Sequence, residues 1–230
     1  MKIYAIIVAG GTGSRFGSSV PKQFLDLCGH PVLCHTLRAF RQVLPSADIV
    51  TVVSRPMHSF WIELCAGDGL DPGPIAFGGD TRWQSVRNGL DALGEVEPDA
   101  VIMVHDAARP LVQPSYIAEV ADVLASTGAD GVIPAIPITD SIRHMRPDGV
   151  ASDPVDRSLY RAVQTPQAFP ADKLRKAFDM PYSPEFTDEA SMMAAAGFND
   201  IRLLPGRERN LKITRPVDLA VARYFIETGD

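Results

Sequence analysis

The run Ala9-Gly10-Gly11-Thr12-Gly13-Ser14-Arg15-Phe16-Gly17 follows directly on a short β-rich segment, Ile3 to Val8. Glycines at such a turn let the backbone approach a ligand, and their N–H groups can cradle a phosphate. Two common phosphate-binding patterns do not fit. The dinucleotide fingerprint counted from Gly11 needs a third glycine where Phe16 stands, and no Gly-Lys-Ser/Thr ending is present. This counts against an NAD-dependent oxidoreductase on a similar sheet. The chain instead offers Gly-Gly-x-Gly-x-Arg followed by Pro21-Lys22-Gln23. Arg15 and Lys22 are two cations beside a phosphate cradle, and bond-breaking at the α-phosphorus of a triphosphate needs its charge neutralised. Spacing alone also allows Lys22 to be an exposed surface lysine, the usual fate of that residue.

Other residues could act with this turn. Val104-His105-Asp106-Ala107-Ala108-Arg109-Pro110 closes a strand-like run. An aspartate at a strand's carboxyl end can hold a hydroxyl or a hydrated Mg²⁺, and Arg109 can grip a phosphate as a fork. His105 has no evident partner in the sequence and reads as a structural histidine. Gly78-Gly79-Asp80-Thr81-Arg82 opens a helical stripe with Ser85 one turn in, and Asn210-Leu211-Lys212-Ile213-Thr214-Arg215-Pro216 stands near the end. Thr187 reads as an N-cap, with Asp188 and Glu189 complementing the helix dipole rather than acting as ligands.

These residues need a scaffold. Strand-like runs Ile3–Val8, Ile49–Val53, Val101–Val104 and Val132–Ala135 alternate with helical stripes: Leu33/Leu37/Phe40/Leu44, Trp83/Val86/Leu90/Leu93 and Ile117/Val120/Leu124. Such alternation means βαβ units and an α/β, Rossmann-like, mainly parallel sheet flanked by helices. Residues 138–163 break the pattern around the turn Arg146-Pro147-Asp148-Gly149 and read as a protruding β-hairpin arm. Pro216 starts a last helix striped by Val217, Val221 and Tyr224. The 230 residues fit one domain, and the net charge of −6 argues against a nucleic-acid binder. Cys28, Cys34 and Cys65 suggest neither a disulfide framework nor a zinc site. No signal peptide and no membrane-length apolar run is seen, so a soluble cytoplasmic protein is expected.

Taken together, the motifs resemble the 2-C-methyl-D-erythritol 4-phosphate cytidylyltransferase family over nearly the whole chain. The matching pieces are the glycine turn with Arg15, Pro21-Lys22-Gln23-Phe24, Gly78-Gly79-Asp80, His105-Asp106-Ala107-Ala108-Arg109-Pro110, Val155-Asp156-Arg157, Thr165-Pro166-Gln167, Thr187-Asp188-Glu189-Ala190-Ser191 and Lys212-Ile213-Thr214-Arg215-Pro216. The resemblance implies transfer of CMP from CTP to 2-C-methyl-D-erythritol 4-phosphate, with release of pyrophosphate and a divalent cation such as Mg²⁺ as cofactor. It implies that Arg15, Lys22, Arg157 and Lys212 are catalytic. Ala9, Gly10, Gly11, Gly79, Asp80, Ser85 and Ala107 would hold CTP. Asp106, Arg109, Ser141 and Thr165 would hold the acceptor phosphate, with Asp106 near the metal, through water if at all. The arm would reach into a neighbouring subunit, giving a homodimer with shared sites.

Two departures from the family pattern stand out. Val8-Ala9-Gly10-Gly11 replaces a frequent Pro-Ala-Ala-Gly, and Ser141 replaces a more usual threonine. Some relatives carry a further cyclase domain, for which this sequence has no room. The sister enzyme ribitol-5-phosphate cytidylyltransferase shares the glycine turn and His-Asp-Ala. Ala-Ala-Arg-Pro, Thr-Asp-Glu-Ala-Ser and Lys-Ile-Thr-Arg-Pro favour the erythritol family. A nucleotide-sensing module without turnover would bind CTP and release no pyrophosphate.

Overall fold

Ile3–Ala9 (β1) is apolar along its whole length because it is covered on both faces. Ala5, Ile6 and Ile7 are fully buried, as a strand at the centre of a parallel sheet requires. In the computed structural model, which describes residues 1–11 and 20–229, β1 pairs in parallel with Ile49–Val53 (β4) on one side and Val101–Asp106 (β6) on the other. Two short strands, Asp26–Leu27 (β2) and His30–Pro31 (β3), form a small hairpin before β4. Ile75–Phe77 (β5) extends the parallel half beyond β4. The order β5-β4-β1-β6 reverses direction at β1, which opens a crevice at the strands' carboxyl ends.

Helices cover both faces. Val32–Arg41 (α1), His58–Gly67 (α2) and Pro114–Thr127 (α4) pack with one core cluster, built around Leu37, Phe40, Trp61 and Ile117. Arg82–Leu93 (α3) packs with the other, around Ile6, Val86, Leu90 and Phe169. The expected stripes on α1, α3 and α4 face these cores. α2 was not legible as a stripe, since Phe60, Trp61, Ile62, Leu64 and Cys65 give no single apolar face.

Beyond β6 the sheet becomes mixed. Gly131–Pro137 (β7) does not pair with β6. Gln167–Pro170 (β11) lies between them, antiparallel to both. Ile201–Pro205 (β12) pairs in parallel with the far side of β7. Arg143–Met145 (β8) and Ser152–Pro154 (β9) form a separate two-stranded hairpin around the expected turn. The arm is shorter than 138–163, because Arg161–Val163 (β10) rejoins the main sheet against β7.

Two short helices, Ala171–Phe178 (α5) and Glu189–Ala195 (α6), follow β11. The cap of α6 is Asp188, not Thr187: its carboxylate accepts from Ser191 N at 2.9 Å. Pro216–Thr228 (α7) begins at the expected proline. Its predicted stripe is a correction, since Val217, Val221 and Tyr224 are exposed. Leu219, Ala222, Phe225 and Ile226 pack inward against Leu27, Val32 and Ile213. Among the described residues, no helix is long and apolar enough to cross a membrane.

Candidate active site

The carboxyl end of β1 is held open by a side-chain clamp. Gln23, buried in the turn after Pro21, donates Nε2 to Ala9 O at 2.6 Å and to Gly11 O at 3.0 Å. This fixes the chain leaving β1 and sets Lys22 beside it. Gly10 packs closely, since a Cβ there would stand 3.2 Å from Ser85 Oγ and 3.4 Å from Gly78 Cα and would need the Ser85 side chain to give by a few tenths of an ångström.

A second wall comes from the loop after β5. Gly78 N bonds Val53 O, and Gly79 N donates to Ser85 Oγ at 3.2 Å. Ser85 Oγ in turn donates to Thr81 O at 3.0 Å. Thr81 caps α3 by accepting from Gln84 N. The loop 78–81 is thus pinned to the first turn of a helix, with Asp80 exposed at its tip.

The third wall is the end of β6. Val8 and Asp106 lie opposite each other in register. The Asp106 carboxylate meets three cations: Lys212 Nζ at 2.8 Å, Arg82 Nη2 at 3.4 Å and Arg109 Nε at 3.8 Å. Burial works to raise its pKa, but the charges of Arg82, Lys212 and Arg109 outweigh this and hold it well below the usual carboxylate range.

Beneath Asp106 a chain of hydrogen bonds closes on itself. Asp106 N donates to Thr165 Oγ1 at 3.0 Å, and Thr165 Oγ1 lies 3.0 Å from His105 Nδ1. The Arg109 carbonyl can only accept, so the neutral imidazole carries its proton on Nε2 and donates it to Arg109 O at 3.2 Å, and Nδ1 accepts from the Thr165 hydroxyl. Arg109 Nη1 donates to Asn210 O at 2.7 Å, and Asn210 Nδ2 returns to Thr165 O at 2.8 Å. Burial pushes the His105 imidazole down to about 3, so it is neutral at physiological pH. It is structural, as its sequence context suggests.

These walls enclose a cavity of about 900 Å³, lined by Gly10, Gly11, Lys22, Gly79, Asp80, Arg82, Ser85, Asp106, Ala107 and Lys212 among others. Cations from far-apart stretches of the chain therefore share one cleft with a glycine turn.

A family model described as IspD, 2-C-methyl-D-erythritol 4-phosphate cytidylyltransferase, matches residues 3–228. The chain belongs to this family. A relative of that name from Bacteroides fragilis is 42% identical over 223 residues, covering 96% of this chain and 98% of its own. One from Porphyromonas gingivalis is 43% identical over 228 residues, covering 98% of each. The crystal structure of the Francisella tularensis enzyme of that name superposes with a TM-score of 0.78 at 30% identity, covering 97% of this chain and 99% of that one. The chain is a nucleotidyltransferase with the α/β fold of that family.

Within this cytidylyltransferase fold, the residues singled out in the sequence fall into three groups. Lys22, Lys212, Gly10, Gly11, Gly79, Asp80, Ser85, Ala107 and Asp106 line the cavity. Ala9, Arg109 and Thr165 do not line it. Ala9 packs into the core, while Arg109 and Thr165 are 8% and 4% exposed and bonded as struts. Ser141 and Arg157 lie exposed on the arm, where Arg157 Nη1 donates to Thr139 O, and neither lines the cavity of its own chain. Arg15 falls outside the described residues.

Several residues of the site had no role in it assigned from the sequence, among them Gln23, Arg82, Glu189, Ser54 and Pro56. Arg82 stands in the wall, and Glu189 pairs with it rather than serving only the dipole of α6. Ser54 and Pro56 line the side next to β4. No sequence signal marked Ser54 or Pro56, and the separation of 107 positions between Arg82 and Glu189 hid their pairing.

For a divalent cation, the protein supplies little. No group of three or more His, Cys, Asp or Glu residues that could hold a metal occurs among the described residues. Two carboxylates, Asp80 and Asp106, line the cavity beside the glycine turn. That set fits Mg²⁺, which keeps its waters and is commonly held by one or two carboxylates plus substrate phosphates.

Proposed function

We propose that this cavity transfers the cytidylyl group of CTP to 2-C-methyl-D-erythritol 4-phosphate, the reaction named by the family, in the non-mevalonate route to isoprenoids. The observation that carries the reading is the convergence of Lys22 and Lys212 on one cleft between the glycine turn and Asp106. CTP lies across Gly10, Gly11, Gly79, Asp80, Ser85 and Ala107, with its phosphates toward Arg15 and Lys22. The acceptor enters on the side of Asp106 and Lys212.

The nucleophile is an oxygen of the acceptor phosphate. Its second pKa is near ~6, so it is largely dianionic at neutral pH and needs no general base. That oxygen attacks the α-phosphorus in line, a new P–O bond forms, and the bond from the α-phosphorus to the β-phosphate bridge breaks. The electron pair leaves with pyrophosphate. The obstacle is repulsion between two polyanions. Lys22 and Arg15 meet the charge on the leaving side, and Lys212 and Arg157 meet it on the acceptor side. Arg109 and Thr165, cast as acceptor ligands by the resemblance, act here by bracing Asp106. Asp106 would hold Mg²⁺ through water, and the ion, when bound, adds positive charge on the triphosphate.

Arg157 and Ser141 complete the site from the arm of a second copy. Met145, Val150, Leu159 and Tyr160 on the arm, with Val163 and Leu203 beside it, are exposed apolar side chains of the kind a homodimer buries. The three cysteines are free thiols, in keeping with a place in the reducing cytoplasm. Pyrophosphate release from CTP, compared between this acceptor and ribitol 5-phosphate, tests the assignment. Release with the erythritol phosphate supports it, and release with ribitol 5-phosphate alone would move the chain to the sister reaction.

A further inference from the structure

Glu189 has no part in the reaction as described, yet it ties directly into the cavity wall. It is 3% exposed in the first turn of α6, and both of its oxygens go to one partner. Arg82 Nη1 donates to Oε1 at 2.5 Å and Nη2 to Oε2 at 3.0 Å. The same Nη2 lies 3.4 Å from Asp106 Oδ1, while Asp106 Oδ2 takes Lys212 at 2.8 Å. Four charges of alternating sign therefore run in a row: Glu189, Arg82, Asp106, Lys212. The last three line the cavity.

The outer end of this row is fastened to the sheet. Gln167, 1% exposed on β11, donates to Asp188 Oδ2 at 2.8 Å and accepts from Ala190 N at 3.4 Å, gripping α6 on both sides of Glu189. Gln167 sits opposite Val104, two residues before Asp106 on β6. Glu189 is thus anchored to the strand pair that carries Asp106. Buried ion pairs contribute little net stability, so the pairing calls for a geometric role.

We propose that Glu189 is a positioning residue for cytidylyl transfer. By holding the Arg82 guanidinium in a bidentate grip, it keeps Arg82 on Oδ1 of Asp106 and leaves Oδ2 to Lys212 at 2.8 Å and Arg109 at 3.8 Å. The inference rests on the reading above, in which Asp106 and Lys212 meet the acceptor. Released from Glu189, Arg82 would turn its fork onto Asp106, because two parallel N–H···O bonds are the favoured arginine–carboxylate geometry. Asp106 would then be lost to the acceptor, and Lys212 would lose its partner.

The test uses the full chain, Glu189→Gln and the double variant Arg82→Gln/Glu189→Gln, with CTP, Mg²⁺ and the acceptor. CTP affinity is read separately by titration calorimetry. Glu189→Gln is expected to lower kcat/KM for the acceptor at least 30-fold while CTP affinity stays within threefold. The double variant, lacking the released cation, is expected to regain at least fivefold over the single. A purely structural role also predicts some recovery in the double variant, because removing both partners spares the cost of one stranded charge. Urea unfolding is therefore measured on each variant, and activity is read where each is fully folded. A structural role then predicts a folded single variant with wild-type kcat/KM. Should Glu189→Gln fail to fold, Glu189→Asp, which keeps the charge and withdraws it by one methylene, replaces it with the same expectations. A single variant within threefold of the wild type, or a double variant no better than the single, overturns the inference alone. A wild type that releases no pyrophosphate overturns the reading it rests on as well.

Discussion

Lys212 Nζ stands 2.8 Å from Asp106 Oδ2, joining the loop before α7 to the carboxyl end of β6. The two residues come from distant stretches of the chain, and the pair forms one wall of the cavity that Lys22 also lines. Lys212 is half-exposed while Asp106 is buried, so the ammonium can leave the carboxylate for a phosphate without uncovering the strand end.

On the proposed reading, Lys22→Ala removes a cation that meets the triphosphate. The expected result is a kcat lowered about 10²- to 10³-fold, ~3 kcal/mol of barrier, as for other groups that stabilise transition-state charge. Steady-state pyrophosphate release measures it, and an unchanged kcat would remove Lys22 from the mechanism.

The proposed site takes Arg157 from the second subunit of a dimer. Lys22→Ala and Arg157→Ala subunits are each expected to be nearly inactive alone. Unfolded, mixed in equal amounts and refolded, they should regain about a quarter of wild-type activity, because half the dimers then carry one intact site. No recovery in a mixture shown to contain heterodimers would place Arg157 in its own chain's site or outside any site.

Thr165→Val keeps the shape of the side chain and removes the hydroxyl that links Asp106 N to His105 Nδ1. Two buried polar groups lose their partner. A loss of about 2–4 kcal/mol in urea unfolding is expected, with Tm lower by roughly 5–10 °C. A variant as stable as the parent would show that the hydrogen-bond loop contributes nothing.

His105 makes stability depend on pH. Its pKa falls from 6.5 to about 3 on folding, because burial disfavours the cation. As pH drops below 6.5, the unfolded chain binds a proton that the folded chain refuses. The stabilisation is therefore complete above that value and lost progressively toward pH 3, at about 1.4 kcal/mol per pH unit near pH 5. In urea titrations, His105→Gln should show a slope at pH 5 that is smaller by about one proton. Equal slopes would mean that His105 is not buried and neutral.

The parts legible in the sequence are those decided locally. β1 and β4 announce themselves because strands covered on both faces must be apolar throughout. The opening of α3 and the proline at the start of α7 each follow from a few adjacent residues. What was not legible depends on distant partners. Nothing in Gln167–Pro170 says that it inserts between β6 and β7 and runs against both. α7 is apolar on two sides, so Val217/Val221/Tyr224 competed with Leu219/Ala222/Phe225/Ile226, and only the packing against Leu27 and Ile213 decides which turns inward. Likewise, Thr-Asp-Glu reads as a helix start, which it is. The pairing of Glu189 with Arg82 is visible only once the fold brings the first turns of α3 and α6 together.

The most direct test of the whole account is pyrophosphate release by the wild-type enzyme with CTP, Mg²⁺ and 2-C-methyl-D-erythritol 4-phosphate, run beside Lys212→Ala. The account predicts turnover that needs both substrates and a loss of at least 100-fold when Lys212 is removed. Pyrophosphate release that is equally fast without Lys212, or absent in the wild type, would contradict the claim that cations gathered around one cleft drive the transfer.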